Sequence, residues 1–222
     1  MRRAWSAAEI RAAERPLVEA GVPLMARAAA GLAALLRERV PADRLVLVLA
    51  GSGDNGADAL YAGAELAAAG RPVAFVALGG RIHEAARSAA VAAGARQLEL
   101  RALLDEALEA GALVDGVLGT GSTPSPALRD PAASAIGTLR SLLEEPDRPL
   151  VIAVDLPSGL HPDTGEAPDG NVLPADATAV FGALKTGLLL GEGPRLAGEL
   201  VLVDIGLGPA LEGVAPGLEL PD

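Results

Sequence analysis

The chain has no cysteine and almost no aromatic residues, with one Trp, one Tyr and two Phe in 222 residues. The first absence excludes a disulfide framework and a thiolate metal centre. The second removes any base-stacking platform, because Trp5, Tyr61, Phe75 and Phe181 are scattered along the sequence. Basic charge is also short. The formal net charge of −11 is opposite in sign to the footprint that nucleic acid requires, so no nucleic-acid partner is expected. Only His83 and His161 are present, without metal-ligand spacing between them, which argues against a zinc-type site. No apolar run reaches the roughly 20 residues of a membrane span. Met1-Arg2-Arg3 is followed by Ser6, Glu9 and Arg11 where a signal peptide needs an apolar core. The expectation is a soluble cytoplasmic protein with no membrane partner.

What is plentiful is small and aliphatic: half the residues are apolar and 21% are charged. That balance suits one α/β domain with a sheet buried on both faces. The organising stretch is 45–69, in which LVLVLA meets the turn GSGDNGADAL and then the alanine-rich YAGAELAAA. A strand that runs through a glycine turn into a helix presents backbone N–H groups to a phosphate-bearing ligand. Gly51, Gly53 and Gly56 match G-x-G-x-x-G, which taken alone is a weak signal.

Along the chain, Ser6 and Glu9 have capping-box spacing and open a predicted helix to about Glu19. Gly21-Val22-Pro23 ends it, and a second helix is predicted over 24–40, with Leu24, Ala28, Leu32, Leu35 and Leu36 on one stripe. Strand-like runs follow at 45–50, 73–78, 97–100, 113–118 and 150–155, separated by helical patterns at 58–69, 82–93, 101–110 and 130–144. This alternation predicts a Rossmann-like, doubly wound, mostly parallel sheet with helices on both faces, preceded by two N-terminal helices. Runs at 177–181 and 200–204 are expected as edge strands, partly antiparallel. Residues 1–208 read as one domain, and 209–222, with three prolines and no periodicity, as a tail or linker remnant.

In such a sheet, ligands bind beyond the carboxyl ends of the strands where the strand order reverses. With the order 3-2-1-4-5, the tips carrying Asp54, Asn55 and Asp58, then Asp115 and the Gly119-Thr120-Gly121 turn, then Asp155 and Ser158, converge on one crevice. Each cluster has a bland reading: Asp54-Asn55-Gly56 as turn chemistry, Asp58 as an N-cap, Pro157-Ser158-Gly159 as a plain turn, His161 as a solvated loop residue. Their coincidence at adjacent tips favours a ligand or cation between them. A nicotinamide dehydrogenase needs an acidic residue about 20 positions after the glycine turn; the second tip reads Ala77-Leu78-Gly79-Gly80 instead. A P-loop is excluded because no Gly-Lys-Ser/Thr follows. Oxygen donors from Asn55, Asp115 and Ser158 suit a hard cation.

These residues carry a family resemblance. Gly51-Ser52-Gly53-Asp54-Asn55-Gly56-Ala57-Asp58 resembles the G-x-G-N-N-G-G-D turn of the NAD(P)H-hydrate epimerases, the YjeF N-terminal domain family. Asp115-Gly116-Val117-Leu118-Gly119-Thr120-Gly121 and Val154-Asp155-Leu156-Pro157-Ser158-Gly159, with Asp163-Thr164-Gly165 after it, are similar to two further signatures. Phe181 to Gly187 and Val203 to Leu207 resemble the closing ones. The resemblance implies interconversion of the R and S forms of hydrated NADH and NADPH, feeding a dehydratase that is fused to this domain in many relatives. It implies a potassium ion held by Asn55, Asp115 and Ser158, and substrate contacts from Asp54, Asn55, Gly56, Ala57 and Asp58, from Gly119, Thr120, Gly121, Ser122, Thr123, Pro124 and Ser125, and from Asp155. The family precedent is a homodimer, with the N-terminal helices as its candidate interface. Asp155 is the expected acid and base, with the pyrophosphate at a helix opening near Asp58. Lys185 is expected to pair with a carboxylate or a phosphate, or to reach solvent. Asp54 stands where the family has Asn, Ala57 and Ala59 where it has glycine, and Arg129 is the candidate basic residue of the third loop. These departures support an alternative: a catalytically silent nucleotide-binding or scaffold module of the same fold.

Overall fold

The computed structural model describes residues 2–121 and 125–221. Its elements, in chain order, are β1 (Arg2–Trp5), α1 (Ala7–Glu19), α2 (Leu24–Arg39), β2 (Leu45–Ala50), α3 (Asp54–Ala68), β3 (Val73–Ala77), α4 (Glu84–Ala92) and β4 (Arg96–Leu98). They continue through α5 (Leu103–Glu109), β5 (Ala110–Gly116), α6 (Ala132–Leu142), β6 (Leu150–Val154), β7 (Ala177–Phe181), β8 (Leu184–Lys185), α7 (Gly193–Leu196), β9 (Glu199–Val203), α8 (Gly208–Leu211) and β10 (Leu218–Leu220). The seven-stranded sheet has the order β4-β3-β2-β5-β6-β7-β9. Every neighbouring pair in it is parallel. The expected antiparallel character of the last two strands is therefore corrected. β7 follows β6 through the long segment 155–176, and α7 lies between β7 and β9, so each connection returns the chain to the same end of the sheet.

Side-chain alternation places the layers. Val46, Val48, Phe75, Val114 and Ile152 pack with α2, α3 and α4 on one face. Leu47, Leu49, Val76, Leu113 and Val151 pack with α5 and α6 on the other. The central strands read as continuous aliphatic runs because both faces are covered. Small residues allow this close layering: Ala57, Ala59 and Ala62 of α3 are fully buried.

At the N-terminus the capping box is present, with Ser6 Oγ accepting from Glu9 N–H and the Glu9 carboxylate accepting from Ser6 N–H. The strand before it was not foreseen. β1 pairs in parallel with β8 and antiparallel with β10, forming a second, three-stranded sheet. The segment 209–222, expected as a tail, contains β10 within this sheet and is tied down further by Trp5 Nε1–H donating to the Val214 carbonyl at 3.1 Å. Strands this short, with no alternation, give the sequence no period to show. Among the described residues no single helix is long and apolar enough to cross a membrane.

Candidate functional site

The glycine turn brings β2 into α3 through close backbone approach. A Cβ at Gly51 would overlap the Val117 carbonyl, and one at Gly56 the Gly51 carbonyl. Gly53 caps α3 without a side-chain bond, so the helix opens at Asp54. The expected opening near Asp58 is thus corrected: Asp58 lies in the second turn, and the open first-turn N–H groups belong to the Asp54 end. Ala57 and Ala59 sit in ordinary helical conformation and carry no left-handed strain.

The only described non-glycine residue with positive φ is Asp155, at 68°. β6 ends at Val154, and this left-handed step turns the chain off the sheet while Asp155 N–H donates to Ala179 C=O at 2.9 Å. A non-glycine residue is held there only when its surroundings over-determine it. Those surroundings are visible: the Asp155 carboxylate accepts from Phe181 N–H at 3.0 Å and forms a buried ion pair with Lys185. Lys185 Nζ also donates to the Phe181 carbonyl at 3.1 Å. Lys185 is 1% exposed, and the pairing of Trp5 with Lys185 shows that the small sheet supports it.

A second cluster lies at the tip of β5. Asp115 is fully buried and accepts from Ser158 Oγ at 2.6 Å and Ser158 N–H at 2.8 Å. Ser158 Oγ in turn accepts from Leu118 N–H at 2.8 Å. The Asn55 amide donates to the Val154 carbonyl at 2.5 Å. A Cβ at Gly119 would overlap the Asn55 side chain, so the loop crosses directly over it. Burial pushes the Asp115 carboxyl up, and the bonds from Ser158 and Val117 pull it partly back. A buried carboxylate left with a net penalty, beside the Ser158 hydroxyl and the Leu118 and Val154 carbonyls that the Asn55 amide meets, is an oxygen-donor set that fits a hard cation.

Between these clusters and the N-terminal helices is a cavity of about 440 Å³. Its polar wall is Glu14, Asp54, Asn55, Asp58, Thr120 and Asp155, and its apolar wall comes from α1, α2 and the turn between them through Val18, Val22, Leu24 and Met25. Burial and the charges of Asp155, Asp54 and Glu14 push the Asp58 carboxyl up to about 8. Burial also raises Glu14, partly offset by the Lys185 charge.

The structure therefore gathers Asp54, Asn55, Asp58, Thr120 and Asp155 on one cavity, with Asp115 and Ser158 bonded to each other beneath it. Gly56 and Ala57 are buried within α3. Gly119 lies against Asn55, and Gly121 is exposed. Ser125 and Arg129 line a different cavity, with Gly51, Ser52, Gly79 and Gly80. Ser122, Thr123 and Pro124 lie outside the described residues. His83 caps α4 through Nδ1 rather than lying within it. His161 Nδ1 accepts from Asp163 and Thr164 N–H, and Asp163 Oδ1 accepts from Ala7 N–H, so the Asp163-Thr164-Gly165 motif anchors the start of α1. Of the three partners expected for Lys185, the structure gives the carboxylate, that of Asp155, while Glu14 escaped the sequence reading. Glu14 resembles any surface acid of an alanine-rich helix, although its spacing of four from Val18 marks their shared face. Lys185 belongs to a two-residue strand, too short to show in the sequence that its side chain is buried.

This arrangement defines a Rossmann-like α/β protein whose ligand cavity sits beyond the carboxyl ends of its strands. Residues 21–187 match the family described as YjeF-related protein N-terminus, and the chain belongs to that family. It is 49% identical to the NAD(P)H-hydrate epimerase of Clavibacter michiganensis subsp. michiganensis over 96% of this chain and 93% of that protein. It is 40% identical to the bifunctional NAD(P)H-hydrate repair enzyme Nnr of Pyrobaculum aerophilum, over 94% of this chain but 43% of that protein. The crystal structure of yeast ynu0 (YNL200c) superposes with a TM-score of 0.71 at 18% identity, covering 90% of this chain and 87% of that one.

Proposed function

We propose that this protein interconverts the R and S epimers of hydrated NADH and NADPH, with Asp155 as acid and base beside the reacting carbon. The observation that carries the reading is Asp155 itself, a carboxylate held in a left-handed conformation, fixed by Lys185 and Phe181 N–H, on the wall of a cavity large enough for a nicotinamide ring. The names of its relatives give the substrate. The reacting carbon bears a hydroxyl and adjoins the ring nitrogen, so inversion requires the C–O bond to open and reform through a cationic iminium. Carboxylates around the ring stabilise that positive charge as it develops, and a positioned one transfers the proton.

Asp54 and the open amides at the start of α3 face the same cavity. The amides suit a phosphate group of the dinucleotide, while Asp54 opposes it electrostatically. Asn55, Asp115 and Ser158 would hold a potassium ion, which supplies fixed positive charge and ties the three strand tips together. Product of the required configuration would pass to a dehydratase, in keeping with the bifunctional relatives. The silent-module reading loses its main support because Ala57 and Ala59 are unstrained. The test is epimer exchange, followed by chromatography or NMR, in the parent and Asp155→Asn proteins. Exchange in the parent that falls at least about 100-fold in the variant supports the proposal; equal rates refute it.

A further inference from the structure

Asp58 is a buried carboxyl with one oxygen left without a partner. It is 6% exposed, and its Oδ1 has no hydrogen-bond partner. It does not cap α3, which opens at Gly53. The one ammonium at the site, Lys185, is engaged by Asp155 and Phe181. The charged groups that act on Asp58 are Asp155 from the tip of β6, Asp54 from its own helix and Glu14 from α1, all of them acidic. An unpaired carboxylate in such surroundings is costly, and the group keeps its proton at neutral pH. On the wall of the same cavity, Asp58 and the Lys185-paired Asp155 form a pair of carboxyls that can serve as acid and base.

Inversion at one carbon has a geometric demand that Asp155 alone does not meet. The hydroxyl leaves one face of the ring and water adds to the other, whereas Asp155 is fixed by its backbone, by Phe181 N–H and by Lys185. We infer that Asp58 is a second catalytic residue of the epimerisation, serving the face of the ring opposite to Asp155. The inference rests on the proposed function above. In one direction the O–H bond of Asp58 breaks and its proton passes to the hydroxyl on the reacting carbon. The C–O bond breaks with its electron pair leaving on water, and the ring-nitrogen lone pair forms the C=N bond of the iminium. A water molecule adds to the opposite face, closing the nitrogen lone pair again, and its proton goes to the Asp155 carboxylate. One water is released and one consumed, so the reaction is a net isomerisation. The other epimer is processed by the form in which Asp155 carries the proton and Asp58 does not.

The test uses purified R and S epimers with the parent, Asp58→Asn and Asp155→Asn proteins. Removing a general acid costs about 100-fold to 10,000-fold, and Asp58→Asn is expected to lower kcat by that amount while KM changes little. The parent kcat/KM is expected to fall above about pH 8, where Asp58 loses its proton; the residual activity of Asp58→Asn lacks that limb. An independent readout is the infrared carbonyl band of a protonated carboxyl at pH 7, present in the parent and absent from Asp58→Asn. A raised KM with unchanged kcat, or a parent infrared spectrum without that band, would overturn the inference by reducing Asp58 to a binding or packing residue. A parent that exchanges epimers beside an equally fast Asp58→Asn overturns this inference alone. A parent that exchanges none overturns the proposed function first.

Discussion

Replacing Asp58 by asparagine should stabilise the protein, and more so as pH rises. In the unfolded chain this carboxyl ionises around its ordinary value of 3.8, whereas in the fold burial and three acidic neighbours hold it near 8. Below pH 3.8 it is protonated in both states and has no effect. Between the two values the unfolded chain has released the proton and the folded one has not, so stability declines by about 1.4 kcal/mol per pH unit and levels off above pH 8. The full difference at pH 7 is on the order of 4 kcal/mol. Water entering the open cavity relaxes part of it, leaving a gain on the order of 2 kcal/mol for the neutral isostere. At roughly 2–4 °C per kcal/mol for a chain of this size, Tm should rise by about 4–8 °C near pH 7. Thermal unfolding of parent and Asp58→Asn at matched ionic strength from pH 5.5 to 8.5 measures this directly. A Tm difference that stays constant with pH, or a variant less stable than the parent at pH 8.5, would refute the assignment of a buried, proton-bearing carboxyl.

Lys185→Met should destabilise by about 3–5 kcal/mol, because it strands the buried Asp155 charge; denaturant unfolding should show most of that recovered in the Lys185→Met, Asp155→Asn double variant. Gly119→Ala drives a methyl group into Asn55 and should cost about 1–3 kcal/mol by the same measurement, with epimer exchange falling alongside. Potassium chloride should raise Tm above the value in choline chloride at equal ionic strength, and Asp115→Asn should abolish the difference.

How far the sequence carried the fold depends on the length of each element. The run 45–50, its glycine turn and α3 were legible because five buried strand positions and a fifteen-residue helix each impose a period. The boundary between them was not, since Asp54 and Asp58 are equally good first-turn residues and the choice is made by Gly53. β1, β8 and β10, of four, two and three residues, were invisible, and with them the reason Lys185 is buried. The candidate site divides in the same way. Asn55, Asp58, Asp115, Asp155 and Ser158 could be read because polar residues at strand tips stand out against aliphatic runs. Glu14 and the apolar wall could not, because their approach depends on how α1 and α2 fold back over the sheet. The raised carboxyl of Asp58 was hidden for a related reason: it follows first from burial, and then from Asp155 and Glu14, brought from distant parts of the chain to join Asp54 of its own helix.

The left-handed turn at Asp155 makes that position a sieve for two separate properties. Asparagine tolerates the conformation about as well as aspartate but cannot carry the proton. Glutamate could carry the proton, yet its longer chain lacks the local backbone bonding that makes the turn affordable. A saturation library at this codon would therefore sort into proteins that keep the turn and turn nothing over, and proteins with the right acid set askew. β-branched residues would fail on both counts.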